Sequence, residues 1–172
     1  MSNKILIVVD MQNDFIDGSL GSEEAKAIVP KVVEKIKGWD GEIACTIDTH
    51  DVNYLSTTEG VNLPVEHCIK QTVGWCICDD ILSAMTDMIA GSRSNMPMMI
   101  TKNTFGSVEL GSAIRNNQYE YVEIVGLCTD ICVISNALLI KAFSPETEII
   151  VDASCCAGVT PQSHKNALEA MK

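Results

Sequence analysis

Short runs of continuous apolar residues alternate along this chain with stretches in which apolar residues recur at helical spacing. Ile5-Leu-Ile-Val-Val9 opens the series, and Asp10 follows its last apolar residue. Runs of this kind have the composition of strands buried on both faces. Met11 to Gly21 reads as a loop with Asn13, Asp14, Asp17 and two glycines. Ser22 with Glu23 and Glu24 then marks a helix to about Gly38, which Pro30 is expected to kink or restart. Glu42 to Ile47 is a second strand, again followed by an acid, Asp48. The segment from Thr49 to Cys78 has little periodicity but holds His50 and His67. Loops this long inside compact domains tend to be functional, and Trp75 with several aliphatic residues favours an ordered one. Asp79 to Ile89 predicts a helix, Met98 to Thr101 a third strand followed by Lys102, and Ser107 to Asn117 another helix.

Tyr121 to Val125 is the fourth strand, and Gly126 ends its apolar run. Thr129 and Asp130 supply an N-cap and first-turn signal for a helix to about Phe143, where Ser144-Pro145 stops it. Cys132 falls in the first turn of that helix, where unpaired N–H groups and the helix dipole favour a thiolate. Glu148 to Val151 is a fifth strand followed by Asp152, and Thr160-Pro161 opens a last helix with proline at its first position. Strands alternating with helices predict one α/β domain over residues 1–172. It would be a three-layer sandwich, a mostly parallel sheet with helices on both faces. Ligands of such sheets bind beyond the carboxyl ends of the strands. Standing there are Asp10, Asp48, Lys102, the turn from Gly126 to Cys132, and Asp152.

Composition narrows the chemistry. A formal charge of −11 with no block of lysine and arginine argues against nucleic acid or an anionic membrane surface as partner. The apolar runs are too short to span a bilayer, and the N-terminus enters a strand with no export signal, so a cytoplasmic location is expected. Eight cysteines in such a setting predict reduced thiols. Cys76-Ile-Cys78 and Cys155-Cys156 lack the paired spacing of a structural zinc site.

A thiol nucleophile needs a base to take its proton and a cation or dipole to favour its anion. Asp10 can serve as the base if burial raises its pKa, with Lys102 alongside holding it back. The turn before Cys132 can aim N–H groups at an oxyanion. Plainer readings exist for each residue: a surface salt bridge for Asp10 and Lys102, a small core residue for Cys132. Asp48 and His50, two apart at a strand end, form with His67 a two-histidine, one-carboxylate set suited to zinc, iron or manganese. His164 reads as a solvent-facing or capping residue.

Five segments in order make the chain resemble the nicotinamidase and isochorismatase-like cysteine hydrolases. They are Val8-Val-Asp-Met-Gln-Asn-Asp-Phe15, Asp48-Thr-His50, Pro64-Val-Glu-His-Cys68, Lys102-Asn-Thr-Phe105 and Gly126-Leu-Cys-Thr-Asp-Ile-Cys132. The resemblance implies a parallel sheet of about six strands and a triad of Asp10, Lys102 and Cys132. Cys132 would attack a small carboxamide, such as nicotinamide or pyrazinamide, to form a thioester that water hydrolyses. It further implies an oxyanion hole from the N–H groups of Cys128 and Cys132, and a cis peptide at Leu127–Cys128. Asp48, His50 and His67 would hold a divalent metal, zinc foremost with iron or manganese as alternatives. Phe15, Phe105 and Leu127 are candidate substrate walls, and a homo-oligomer is expected. Two departures stand out. Ser56 replaces a further histidine often found in the metal loop, and Asn62-Leu63 precede Pro64 where a tryptophan is common. Two other readings remain: isochorismatase-type hydrolysis, which has no need of a thiol, and a non-catalytic metal or thiol redox protein in which Cys128 and Cys132 oxidise together.

Overall fold

The structure, a computed structural model, describes residues 3–90 and 96–172. β1 (Lys4–Val9) runs through its centre, with Ile5 to Val9 excluded from solvent. Successive side chains of a strand leave opposite faces. Leu6 and Val8 therefore enter one core, and Ile5, Ile7 and Val9 the other. The chain continues through α1 (Asn13–Ile16), α2 (Glu23–Gly38), β2 (Glu42–Asp48), α3 (Thr58–Asn62), α4 (Asp79–Ala90) and β3 (Met98–Lys102). It closes with α5 (Val108–Asn117), β4 (Tyr121–Leu127), α6 (Ile134–Phe143), β5 (Glu148–Ala157) and α7 (Pro161–Ala170).

All strand pairings are parallel, in the order β3-β2-β1-β4-β5. Among the described residues the sheet thus has five strands, where about six were expected. Val29, Val32 and Ile36 of α2 and Ile81, Met85 and Met88 of α4 cover one face. Leu110 and Ile114 of α5 and Ala137 and Ile140 of α6 cover the other. This is the three-layer α/β arrangement that the hydrophobic pattern predicts. From β1 the chain steps outward to β2 and β3 on one side and to β4 and β5 on the other. The crevice beyond the carboxyl ends of β1 and β4 is therefore the topological switch point, where parallel sheets hold ligands.

Several elements differ from their sequence reading, each for a local reason. Gly126 does not end β4: with φ +117° it pairs with Val9 and Cys156 inside the sheet. A Cβ there would lie 2.2 Å from the Val9 carbonyl oxygen, so only glycine lets the strands approach. β5 runs on to Ala157, which places Asp152 inside the strand and removes it from the set of strand ends. The first turn after β4 is a π-turn, Thr129–Val133, and α6 proper starts at Ile134. Thr129 makes no side-chain cap; its hydroxyl lies 2.7 Å from Nδ1 of His164, which is thus neither free in solvent nor a helix cap. α2 passes through Pro30 without a break, because Pro30 sits on the solvent side, where water can take the carbonyl it leaves without a donor. The loop predicted after β1 contains α1, and the long segment after β2 is ordered around α3. Among the described residues no helix is long and apolar enough to cross a membrane.

Asp152 has a structural partner. Lys35 of α2 reaches Asp152 at 2.7 Å and Glu123 of β4 at 2.6 Å, joining the helix to two strands. Burial works against the charge of Asp152, but Lys35 and the Ser154 hydroxyl and N–H outweigh it and hold the carboxyl down at about 2. Lys35→Ala leaves the buried Glu123 without its cation, an expected cost of about 1–3 kcal/mol, below the fully buried range because Lys35 is partly solvated. A depressed carboxyl pKa contributes stability above the ordinary carboxylate range and loses it as pH falls through the folded value. The gap in melting temperature between wild type and Lys35→Ala should therefore stay constant near neutrality. Calorimetry should show it narrowing as pH falls from about 4 to about 2.

Candidate active site and metal centre

Four strand ends converge at the switch point. Asp10 directly follows β1 in the left-handed region, φ +47°, which a non-glycine residue seldom adopts and which often marks a functional position. Thr46 of β2 holds it there: the Asp10 N–H meets the Thr46 hydroxyl oxygen at 3.2 Å, and that hydroxyl donates to Asp10 Oδ1 at 2.7 Å. Lys102 ends β3, in register with Asp48 at the end of β2. Its Nζ lies 2.7 Å from Asp10 Oδ2, 3.2 Å from Asp48 Oδ1 and 3.6 Å from Cys132 Sγ. All four side chains are buried. Asp10 Oδ2 has a close cation but no hydrogen bond of good geometry, so a lone pair remains for the thiol proton.

The electrostatics follow from that burial. Desolvation pushes the Asp10 carboxyl above its ordinary range, and Lys102 pulls it only part of the way back. Desolvation also raises the Cys132 thiol well above its usual value, with Asp10 adding to this and Lys102 opposing it. Burial alone would lower Lys102, but Asp10, the Cys132 sulfur and Asp48 reverse the sign and keep it cationic. Burial and the two carboxylates thus work against the thiolate that the helix dipole favours, and the net shift of the Cys132 thiol is upward.

Asp48 also faces a second group. Its Oδ2 lies 2.9 Å from His50 Nε2 and 3.6 Å from His67 Nε2. Burial opposes charge on Asp48, but both imidazoles and Lys102 hold its carboxyl below the ordinary range. Burial lowers His67, whereas Asp48 and the Val65 carbonyl raise it, and the net shift is upward. His67 Nδ1 lies 2.8 Å from the Val65 carbonyl, which turns Nε2 toward the cluster. The long loop delivers His67 by pairing with the end of β2: His50 N–H donates to Cys68 O and Lys70 N–H to His50 O. One atom from each of Asp48, His50 and His67 falls within 4.8 Å of the others, a mixed carboxylate and imidazole set that fits a divalent transition metal.

A pocket of about 440 Å³ opens onto both groups. Its walls include Phe15, Phe105 and Leu127, with Cys132, Asp48 and His67 among the remaining lining. A larger, more open groove between α6, β5 and α7 lies away from this chemistry. The Leu127–Cys128 peptide is cis, as the resemblance implies.

Four residues escaped the sequence reading. Gln12, wholly buried, accepts the Asp48 N–H at 2.7 Å and donates to the Asp48 carbonyl at 2.8 Å, clamping that residue. Glu59 of α3 brings Oε1 to 3.6 Å from His50 Nε2 and 3.8 Å from His67 Nε2. Tyr54 packs against both imidazoles, tilted to His50 and edge-on to His67, with ring centroids 4.6 and 4.9 Å away. Asn136 is wholly buried behind Cys132. Gln12 lies within the first motif and was legible there; Glu59 and Tyr54 sit in an aperiodic loop where no spacing singles them out.

A thiol, an amine and a carboxylate buried together at the switch point, beside a carboxylate–imidazole cluster, define a thiol-centred α/β domain. The chain matches the isochorismatase domain over residues 4–172 and belongs to that family. A nicotinamidase of Saccharomyces cerevisiae is 24% identical over 87% of this chain and 86% of its own length. A pyrazinamidase of Pyrococcus horikoshii, solved in complex with zinc, is 29% identical. It superposes with a TM-score of 0.79, covering 98% of this chain and 94% of that one. A nicotinamidase/pyrazinamidase of Bacillus subtilis is 24% identical with a TM-score of 0.83, over 99% and 94% of the two chains.

The charge pattern predicts an asymmetry. Lys102→Met leaves Asp10 and Asp48 buried side by side without their shared cation, an expected loss of about 3–5 kcal/mol. Asp10→Asn keeps Lys102 paired with Asp48 and removes one of two repelling charges, so it should cost less than about 2 kcal/mol. Urea unfolding of both variants at neutral pH checks the order.

Proposed function

We propose that the protein is a cysteine-dependent amidohydrolase that releases ammonia from a small carboxamide. The observation that carries this is the meeting of Asp10, Lys102 and Cys132 within one buried contact network that opens on the pocket. Asp10, with its raised pKa, takes the Cys132 proton as sulfur attacks the amide carbon, and Lys102 stabilises the charges that result. The N–H groups of Cys128 and Cys132 receive the carbonyl oxygen as it becomes an oxyanion. When the C–N bond breaks, Asp10 returns the proton to the departing nitrogen, and ammonia leaves a thioester behind. Water then attacks with Asp10 again as base, releasing the carboxylic acid and restoring the thiol.

Asp48, His50 and His67 are the residues that would hold a divalent ion, zinc foremost, with Glu59 close enough to join them. Such an ion supplies a Lewis-acid anchor for a ring nitrogen of the substrate. Phe15, Phe105 and Leu127 wall the acyl part. Among the described residues lining the pocket there is no lysine or arginine, which favours a neutral amide over an anionic substrate. Burial and the neighbouring Asp130 push the Cys128 thiol up to about 12.

Nicotinamide and pyrazinamide are the first amides to assay for ammonia release. Cys132→Ala is expected to lower turnover at least about 1,000-fold while the protein stays folded; retained activity would overturn the mechanism. His50→Ala should lose the metal in elemental analysis, and equal metal content in wild type and variant would remove that cluster from the proposal.

A further inference from the structure

Asn136 lies on α6, four residues past Cys132, in a core where an aliphatic side chain would be ordinary. Burying an amide there is costly unless each polar atom is bonded. Its Oδ1 accepts the Ser107 N–H at 2.9 Å, and its Nδ2 donates to the Phe105 carbonyl at 3.2 Å and the Cys132 carbonyl at 2.8 Å. One N–H facing the oxygen and two carbonyls facing the nitrogen permit a single orientation of the amide.

These bonds tie together two segments that the reaction uses. The first is the connection from Lys102 to α5, which carries Phe105, a half-exposed ring on the pocket wall. Ser107 ends this connection as the N-cap of α5, its hydroxyl accepting the Leu110 N–H at 3.1 Å. The second is the π-turn that presents Cys132. Where a π-turn passes into an α-helix the ladder of backbone bonds changes register, and the Asn136 amide takes the Cys132 carbonyl at that junction. The connection also rests directly on α6: a Cβ on Gly106 would come within 3.2 Å of the Ser135 carbonyl oxygen.

We propose that Asn136 is a positioning residue that sets the gap between the Phe105 wall and the Cys132 thiol. It thereby governs both how the acyl part of the substrate seats and how sulfur approaches it. The proposal rests on the amidohydrolase reading for what fills that gap.

Asn136→Asp keeps the side-chain shape and the acceptor for Ser107 but removes both donors. Gly106→Ala leaves Asn136 in place and lifts the Phe105 segment off Ser135, so it tests the same gap should Asn136→Asp fail to fold. For both variants kcat and KM are measured on nicotinamide, normalised to folded protein. An expected fall in kcat/KM of about 10–100-fold, shared between a raised KM and a lowered kcat, reflects the steep cost of sub-ångström misplacement. Phe105→Ala should raise KM, and adding Asn136→Asp to it should raise KM little further, because the wall that Asn136 positions is then gone. Wild-type kcat and KM per folded molecule in both Asn136→Asp and Gly106→Ala, with only a lowered melting temperature, would reduce Asn136 to a structural role and overturn the proposal. If the wild type releases no ammonia, the amidohydrolase reading is what fails. The positioning role is then decided by Cys132 alkylation with iodoacetamide: a several-fold change in rate in both variants supports it, and an unchanged rate overturns it.

Discussion

One ammonium group, Nζ of Lys102, makes the rest of this site energetically tolerable. It sits within 3.6 Å of two carboxylates and a thiol, all of them buried. Two carboxylates taken out of water side by side carry a desolvation cost of several kcal/mol each, and only a shared cation with good contacts offsets it. The same cation settles the protonation pattern. Its own pKa is raised, and it brings the raised pKa values of Asp10 and Cys132 only part of the way back. A thiol and a carboxyl, both with raised pKa values, thus lie against the same ammonium.

Asp48 extends this dependence to the neighbouring cluster. One of its oxygens faces Lys102 and the other faces His50 and His67, so Asp48 bridges the Lys102 cluster and the imidazole pair. Gln12 holds the backbone of Asp48 from both sides, and the Asp14 carboxylate accepts the Cys68 N–H at 2.7 Å, which secures the loop that brings His67 in. The first loop after β1 thus supports the site twice, through an amide and a carboxylate that touch no reacting atom. The strain at Asp10 belongs with these supports: an unfavourable φ persists because Thr46 and Lys102 bind the side chain that it aims.

Much of the fold was legible along the chain. Strands buried on both faces announce themselves as short, uninterrupted apolar runs, and the residue after each run lies at the carboxyl end of a parallel sheet. That rule located Asp10, Asp48, Lys102 and the Cys132 turn. It failed at Asp152, because β5 continues beyond its apolar stretch, and at Gly126, which looks like a strand breaker but serves as the point of closest approach between β4 and β1. Pairing across strands is a non-local choice, and the local composition does not record where it stops.

Taken alone, the sequence determined the α/β class, the order of elements and the residue types at the strand ends, since these follow from periodicity and from motif spacing. Tertiary structure alone decided which of those residues meet. The register of β2 with β3 sets Asp48 beside Lys102, and the pairing of residues 68–70 with His50 carries His67 into place. It also decided the roles of Glu59 and Tyr54, whose stretches of chain have no pattern to mark them, and of Asn136, whose partners Phe105 and Ser107 lie on a distant segment. The state of the thiol was likewise invisible in one dimension. Helix position alone favours a thiolate, but desolvation and two converging carboxylates, which arise only when distant strand ends come together, push the Cys132 thiol upward.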